Sequence, residues 1–433
     1  MAYLEIIAIN GVYVFRQVIA SIFCRNFIVN LTKYRRGVCF MKFDRSFILG
    51  LLCGMAAILL VNFAISPIRS HMMWSGVLSP EAKIMEIYSI LTNNSIIPFE
   101  RDVLLDNMYR GMLEGVGDPY TYYFNREALS VFMERTEGSY AGVGMVVTTD
   151  QYDSKVTVVN VFVGSPAEEA GLLPGDKIVA VDGADMSGKL LDEVIALVRG
   201  LPGTQVKIGI IRGEDTLEIS IIRQQINVPT VHHNMMLGGI AYIRIESFDG
   251  VTYAQFTNAY RELRAQGMRG LIIDLRNNPG GRLETVVDIG SLILPAGAIL
   301  YSENVRGERT VYRSERDNRI DVPLVILVNG GSASASEVLT GAVRDHGVGT
   351  VVGQQTFGKG VVQSLFPVSD GSAVKVTIAR YYTPNGISIH GTGITPDYIV
   401  EVDRETAIMS TRLSFEEDIQ LQKAVEVMNS KLD

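Results

Sequence analysis

Apolar residues fall into four rhythms along the chain. From Phe47 to Ile65 they run as FILGLLCGMAAILLVNFAI, nineteen residues without a charge, about the length of a bilayer-crossing helix. From about Ser79 to Glu134, positions such as Ile84, Ile87, Ile90 and Leu91 recur at helical spacing and predict a helical segment. Between 139 and 225, short apolar stretches (SYAGVGMVV, KVTVVNVFV, DKIVAVDG, TQVKIGIIR, DTLEISIIR) are separated by turn residues, with one helical interlude at KLLDEVIALVRG. That pattern predicts a small β-rich module. After Val228, apolar strands (IAYIRIESF, GLIIDLR, LVILVN, AVKVTIARYY) alternate with helical stretches such as YAQFTNAYRELRAQG and ASEVLTGAVRDHG, the signature of an α/β region. SFEEDIQLQKAVEVM predicts a closing helix.

Charge orients the first rhythm. Lys33, Arg35, Arg36, Lys42 and Arg45 precede the apolar run, and such a flank stays cytoplasmic, sending everything after Ser66 across the membrane. A cleavable signal peptide is the alternative, but the run exceeds a usual h-region and no A-x-A site follows. Residues 1–40 carry no clear element boundary, and Met41-Lys42 resembles a natural start. A net charge of −8 over 433 residues argues against a nucleic-acid partner. Cys24, Cys39 and Cys53 all precede residue 54, leaving no disulfide and no thiolate metal site beyond it.

Within the β-rich module, Tyr140-Ala141-Gly142-Val143-Gly144 leads directly into a strand. Glycines there let consecutive backbone N–H groups face a bound carboxylate, and an adjacent strand edge can accept an added peptide strand. Gly-rich turns are common, so this alone assigns nothing. However, GSPAEEAGLLPGDKIVAVDG, with GVGMVV and the helix ending VRG, resembles PDZ domains. The resemblance implies capture of a protein C-terminus with an apolar last residue. Arg199 resembles an arginine that in related proteases helps the peptide-bound domain dock; a solvated charge is the other reading.

Peptide hydrolysis through serine needs a nucleophile, a base and donors for the oxyanion. Neither G-x-S-x-G nor H-E-x-x-H occurs, and His71, His232, His233, His346 and His390 lack triad or zinc spacing. Asn329-Gly330-Gly331-Ser332-Ala333-Ser334-Ala335-Ser336-Glu337 lies between LVILV and a helical pattern starting near Ala335. A serine opening such a helix is exposed above a sheet, beside free N–H groups and the positive dipole end; Ala335 N–H is the first donor to name. The competing reading is a helix cap at Ser332 or Ser334, with Glu337 completing a capping box. Twenty-five residues after Ser334 stands Lys359, flanked by Gly358 and Gly360. A lysine acts as a base only if burial lowers its pKa from about 10.4. The turn Asp274–Gly281 also follows a strand, and its glycines can bring a second backbone donor.

These motifs, in this order after a PDZ-like module, and with GVGDPYTYYF before and GTGITPD after them, resemble the carboxy-terminal processing or tail-specific proteases over roughly 80–400. The resemblance implies Ser334 as nucleophile, Lys359 as base and Gln363 as the group that orients it. It implies oxyanion donors at Gly280, with Gly281 as second choice, and Ala335. In some members an aspartate eleven residues after the serine joins the site, which maps onto Asp345; a structural salt bridge explains that residue equally well. The fold class implied is α/β (α+β), a crotonase-like or Clp-protease-like core, with neither metal nor cofactor. Dimerisation through the N-terminal helices and C-terminal tail, and gating by peptide docking, are implied likewise.

The expected organisation is a cytoplasmic segment at 1–46, an anchor at 47–66 and a helical segment at 78–135. A PDZ domain at 139–225, a protease core at 228–405 and a helical tail at 406–433 complete it. Two rivals are a silent PDZ scaffold, against which the serine–lysine–glutamine set speaks, and a crotonase-like acyl-CoA enzyme, which leaves the module and anchor unexplained.

Overall fold

The computed structural model of the protein describes residues 79–315, 320–410 and 412–433. The expected anchor at 47–66 and the candidate start at Met41 lie outside the described residues, among which no helix is long and apolar enough to cross a membrane. The chain divides into two units, the second running from Phe99 to Asp433. In the first unit, helix α1 (Pro80–Asn94) begins where the Ser79 hydroxyl accepts from Ala82 N–H at 3.3 Å, with Pro80 and Glu81 in its first turn, all favourable at a helix start. It buries no residue and exposes Ile84, Met85, Ile87 and Ile90.

The second unit opens with α2 (Arg101–Glu114). The helical pattern expected through Glu134 is interrupted by β1 (Tyr122–Phe124), whose partners lie at Ala373–Lys375. Aromatic residues favour strands where a neighbour covers them, and a neighbour this remote is invisible to local periodicity. Helix α3 (Arg126–Glu137) follows, capped by Asn125 and closed by Gly138 at φ 69°.

Next come β2 (Ser139–Gly142), β3 (Met145–Thr149), β4 (Val156–Val161), α4 (Pro166–Glu169), β5 (Lys177–Val181), β6 (Ala184–Asp185), α5 (Leu191–Val198), β7 (Gln205–Arg212), β8 (Asp215–Ile222) and β9 (Gln224–Asn227). Strands β2 and β9 pair as a two-stranded stalk where the chain enters and leaves. The other strands form an antiparallel sheet ordered β3-β4-β5-β7-β8, with β6 beside β5. Val158, Val194, Val206 and Ile208 belong to its own core.

The remainder holds β10 (Val231–Met236), β11 (Ile240–Ile245), α6 (Thr252–Ala265), β12 (Gly270–Asp274), α7 (Leu283–Ile293), β13 (Gly297–Asn304), β14 (Arg309–Ser314), β15 (Leu324–Val328), α8 (Ala335–Asp345), β16 (Thr350–Gly353), β17 (Val361–Pro367), β18 (Ala373–Tyr382), β19 (Tyr398–Ile399), α9 (Arg404–Met409) and α10 (Ile419–Leu432). One sheet runs β10-β11-β12-β15-β16-β19, parallel from β11 onward. Every residue of β12 and β15 is buried, because helices cover both faces. Ile273 and Ile326 pack with Phe256, Val286 and Leu339 of α6, α7 and α8, while Ile272 and Val325 pack with Ala424, Val427 and Met428 of α10.

The closing helix starts later than SFEED. Asp418 caps it, accepting from Leu421 N–H at 3.0 Å, and pairs with buried Arg276 at 2.8 Å; Arg276 also pairs with Asp274. A second, antiparallel sheet centres on β18, with β17 along one side and β1 and β13 along the other. Because β12, β15 and β16 are parallel neighbours, the three glycine-rich motifs leave one edge of one sheet, where open α/β sheets bind ligands.

Candidate active site

Hydrogen bonds stitch the first two turns together. The Ser332 hydroxyl donates to Leu275 O at 2.7 Å and accepts from Asn329 N–H at 2.9 Å. The Ser336 hydroxyl donates to Asn278 O at 3.0 Å, and Ala333 N–H donates to the same carbonyl at 3.0 Å. Both hydroxyls are fully buried. Ser334 differs, with 9% of its surface exposed and no hydrogen bond from its hydroxyl among the described residues. Its φ of 55° and ψ of −113° lie outside the favoured regions for an L residue, at a cost on the order of 1–3 kcal/mol that the stitched turns must hold. Half of the expected capping box forms: Glu337 accepts from Ser334 N–H at 2.8 Å, while the serine hydroxyl is left free.

Gly280 abuts this serine. A Cβ there would sit 2.8 Å from Ser334 Cβ and 2.9 Å from Ala335 N, and its φ is 101°, so glycine alone fits. Ala335 N–H, at the first position of α8, has no acceptor among the described residues. Gly280 N–H instead donates to Asn278 Oδ1 at 2.9 Å. To serve an oxyanion it must exchange that bond. Gly281 N–H has no acceptor among the described residues.

Glu337, which in the sequence resembles only a helix cap, holds the site together. Its carboxylate, fully buried, accepts four hydrogen bonds: from Ser334 N–H at 2.8 Å, Thr356 Oγ1 at 2.6 Å, Gly358 N–H at 2.7 Å and Lys359 N–H at 2.9 Å. Charge-assisted bonds of this kind are the strong ones. They clamp the backbone of the serine to that of the lysine. The available signal was a glutamate among small and apolar residues of a buried helix, since a buried carboxylate demands partners.

The flanking glycines press the lysine loop against residues 389–393. A Cβ at Gly358, which has φ 88°, would meet Gly393 N at 3.2 Å, and one at Gly360 would strike the His390 backbone. The Lys359 ammonium lies 4.6 Å from the centre of the Tyr120 ring and makes no hydrogen bond to Ser334 Oγ or Gln363 among the described residues. Burial first, and then the nearby Lys375 cation, push Lys359 below the ordinary lysine range, while Asp118 and Glu337 pull the other way. Lys375 is lowered too, by burial against the pull of Asp118.

Two candidates from the resemblance are not drawn in. The Gln363 amide donates to Val361 O at 3.2 Å and so does not orient the lysine in this arrangement. Asp345 ends α8, eleven residues from Ser334, or roughly 16 Å at 1.5 Å per residue. Its carboxylate accepts from Asn385 N–H at 2.9 Å and lies 3.5 Å from Arg344. It anchors the turn at Asn385.

In the small module a groove of about 280 Å³ is lined by Tyr140, Gly142, Val143, Met145, Ile178, Val194, Ile195, Val198 and Arg199. Val143 N–H and Gly144 N–H have no acceptor among the described residues, and Gly144 takes φ 88°. Ala141 does not line the groove; it pairs with Gln225 in the stalk. Arg199 stacks 4.9 Å from the Tyr140 ring and pairs with Glu134 of α3 at 2.6 Å. It bridges groove and helix rather than standing free in solvent.

Both the groove-bearing module and the α/β core have known relatives. Residues 239–400 match Peptidase family S41 and residues 139–222 match the PDZ domain. The carboxyl-terminal-processing protease of Synechocystis sp. is 38% identical over 73% of this chain and 75% of its own. The carboxy-terminal processing protease CtpA of Bacillus subtilis is 35% identical over 74% and 69%. The solved photosystem II D1 C-terminal processing protease, 34% identical, superposes with a TM-score of 0.43 over 75% of this chain and 87% of that one. The chain therefore belongs to peptidase family S41, as a serine peptidase of the carboxy-terminal processing kind that carries a PDZ domain.

Proposed function

We propose that the protein recognises the apolar C-terminus of a protein substrate in the groove between β3 and α5 and cleaves the chain through an acyl-enzyme on Ser334. The observation that carries the reading is that Ser334 alone of the three serines has a free hydroxyl, held on a strained turn beside Ala335 N–H and Gly280. Neutral Lys359 takes the hydroxyl proton as Oγ bonds to the scissile carbonyl carbon, and Ala335 N–H, joined by Gly280 N–H, receives the oxyanion. The lysine returns that proton to the leaving amine as the C–N bond breaks. Water then attacks the ester, giving its proton to Lys359, which passes it to Oγ as the C–Oγ bond breaks, restoring the serine and the neutral amine and releasing the acid product. Gln363 contributes by steadying the amine once it faces Ser334.

At the groove, the unpaired N–H groups of Val143 and Gly144 and the Arg199 guanidinium suit a terminal carboxylate. The apolar run at 47–66 and its basic flank support a single-pass anchor with the catalytic part extracytoplasmic. The apolar surface of α1 supports a homodimer.

The test is cleavage of an unfolded protein with an apolar tail by the full chain and by Ser334→Ala and Lys359→Ala. Each substitution is expected to lower kcat by about a thousandfold or more. Equal cleavage by all three removes the mechanism. Because the amine must be neutral, activity of the parent chain should rise with pH through a base pKa below the ordinary lysine value, the direction that burial and Lys375 impose.

A further inference from the structure

A general base must come within about 2.6–3.2 Å of the proton it takes. No hydrogen bond joins Lys359 to Ser334 Oγ among the described residues, and its ammonium rests on the face of Tyr120, 4.6 Å from the ring centre. We propose that Tyr120 is a positioning residue for this peptidase: its ring, aided by Asp118, docks the protonated Lys359 away from Ser334, and release from the dock arms the base. The inference rests on the serine–lysine reading above.

The surroundings explain why a dock belongs there. Lys375 of β18, the cross-strand partner of Tyr122, also places its cation near Lys359. Two cations in a half-buried site repel, so a protonated Lys359 needs a compensating surface. The ring face supplies one without a hydrogen bond, and Asp118 supplies the opposite charge. Asp118 is itself fixed, accepting from Tyr120 N–H at 3.1 Å and from Thr121 Oγ1 at 2.6 Å, so the ring and the carboxylate form one turn. Glu337, the remaining charge facing the lysine, is saturated by four donors and clamps only the lysine backbone. The side chain is therefore the part free to exchange. Attraction to a ring face requires the cation, so a neutral amine loses its hold on Tyr120 at the moment it becomes competent as a base.

The experiment uses the full chain and measures the pH dependence of Ser334 labelling by a small fluorophosphonate, which reports an armed serine without the groove. Tyr120→Leu removes the ring face and is expected to raise labelling about fivefold near neutral pH, the population shift a partly desolvated cation–π contact can hold back. It should also move the acid limb to lower pH, because the protonated lysine has lost a stabilising partner. Tyr120→Phe keeps the face and should track the parent chain. Lys375→Met, which removes a repelling cation, should move the acid limb to higher pH. Should Tyr120→Leu fail to fold, Asp118→Asn tests the same turn, with a smaller rise in labelling expected. Labelling by Tyr120→Leu that is no faster than the parent, with the acid limb in place, overturns the dock. If Lys359→Ala is inactive in the same series, the serine–lysine reading survives that result; if Lys359→Ala still labels and cleaves, that reading falls first.

Discussion

The groove and the catalytic turn are both built from glycine-bearing backbone, yet they leave opposite things unpaired. Around Val143 and Gly144 the donors stand open and no carboxylate competes for them. Around Ser334 most donors are taken, by Asn278 at Gly280 and by Glu337 at Ser334, Gly358 and Lys359, leaving, among the described residues, the serine hydroxyl and the N–H groups of Ala335 and Gly281. A binding nest works by omission. A catalytic turn works by saturation with one opening, because the opening must stay rigid while a carbonyl passes through its tetrahedral form.

The contrast breaks most easily on its saturated side. Glu337→Ala strands four donors, three of them buried, and is expected to cost about 3–5 kcal/mol in urea unfolding and to abolish fluorophosphonate labelling of Ser334. Glu337→Gln keeps the volume but loses the charge, and should fall between. An alanine variant with parental midpoint and labelling would mean the clamp does nothing. On the open side, Ile195→Glu places a charge in the apolar groove. It should raise KM about tenfold for an apolar-tailed substrate, roughly 1.4 kcal/mol, and far less for a tail ending in a charged residue; equal effects on both tails would detach the groove from tail choice. The smallest effect is expected at Asp345→Asn, about 1 kcal/mol of stability from a weakened bond to Asn385 N–H, with cleavage within about twofold. A hundredfold loss there would return Asp345 to the chemistry.

What could be read in advance follows the same division. Strands such as Leu324–Val328 are buried on both faces, so they appear as unbroken apolar runs. The turns after β12, β15 and β16 appear as glycine and small-residue clusters, because close backbone approach leaves a local trace. Contacts between side chains remote in sequence leave none. Strand β1 is only three residues and finds its partner some 250 residues on; the Asp274–Arg276–Asp418 cluster pins a tail that local pattern alone cannot place. Glu337 resembled an ordinary cap because three of its four bonds come from elements that periodicity does not connect. Gln363 shows the limit in the other direction, since a residue's place on a strand does not say where its amide points.

The Glu337 clamp also bears on what has to move. With the backbones of Ser334 and Lys359 tied to one carboxylate, the proposed arming of the base falls to the lysine side chain and not to its loop. In that proposal only the lysine's methylene stem turns, a smaller motion than the rearrangement of a loop. On that reading, signals reaching this site would act on how often the amine faces the serine.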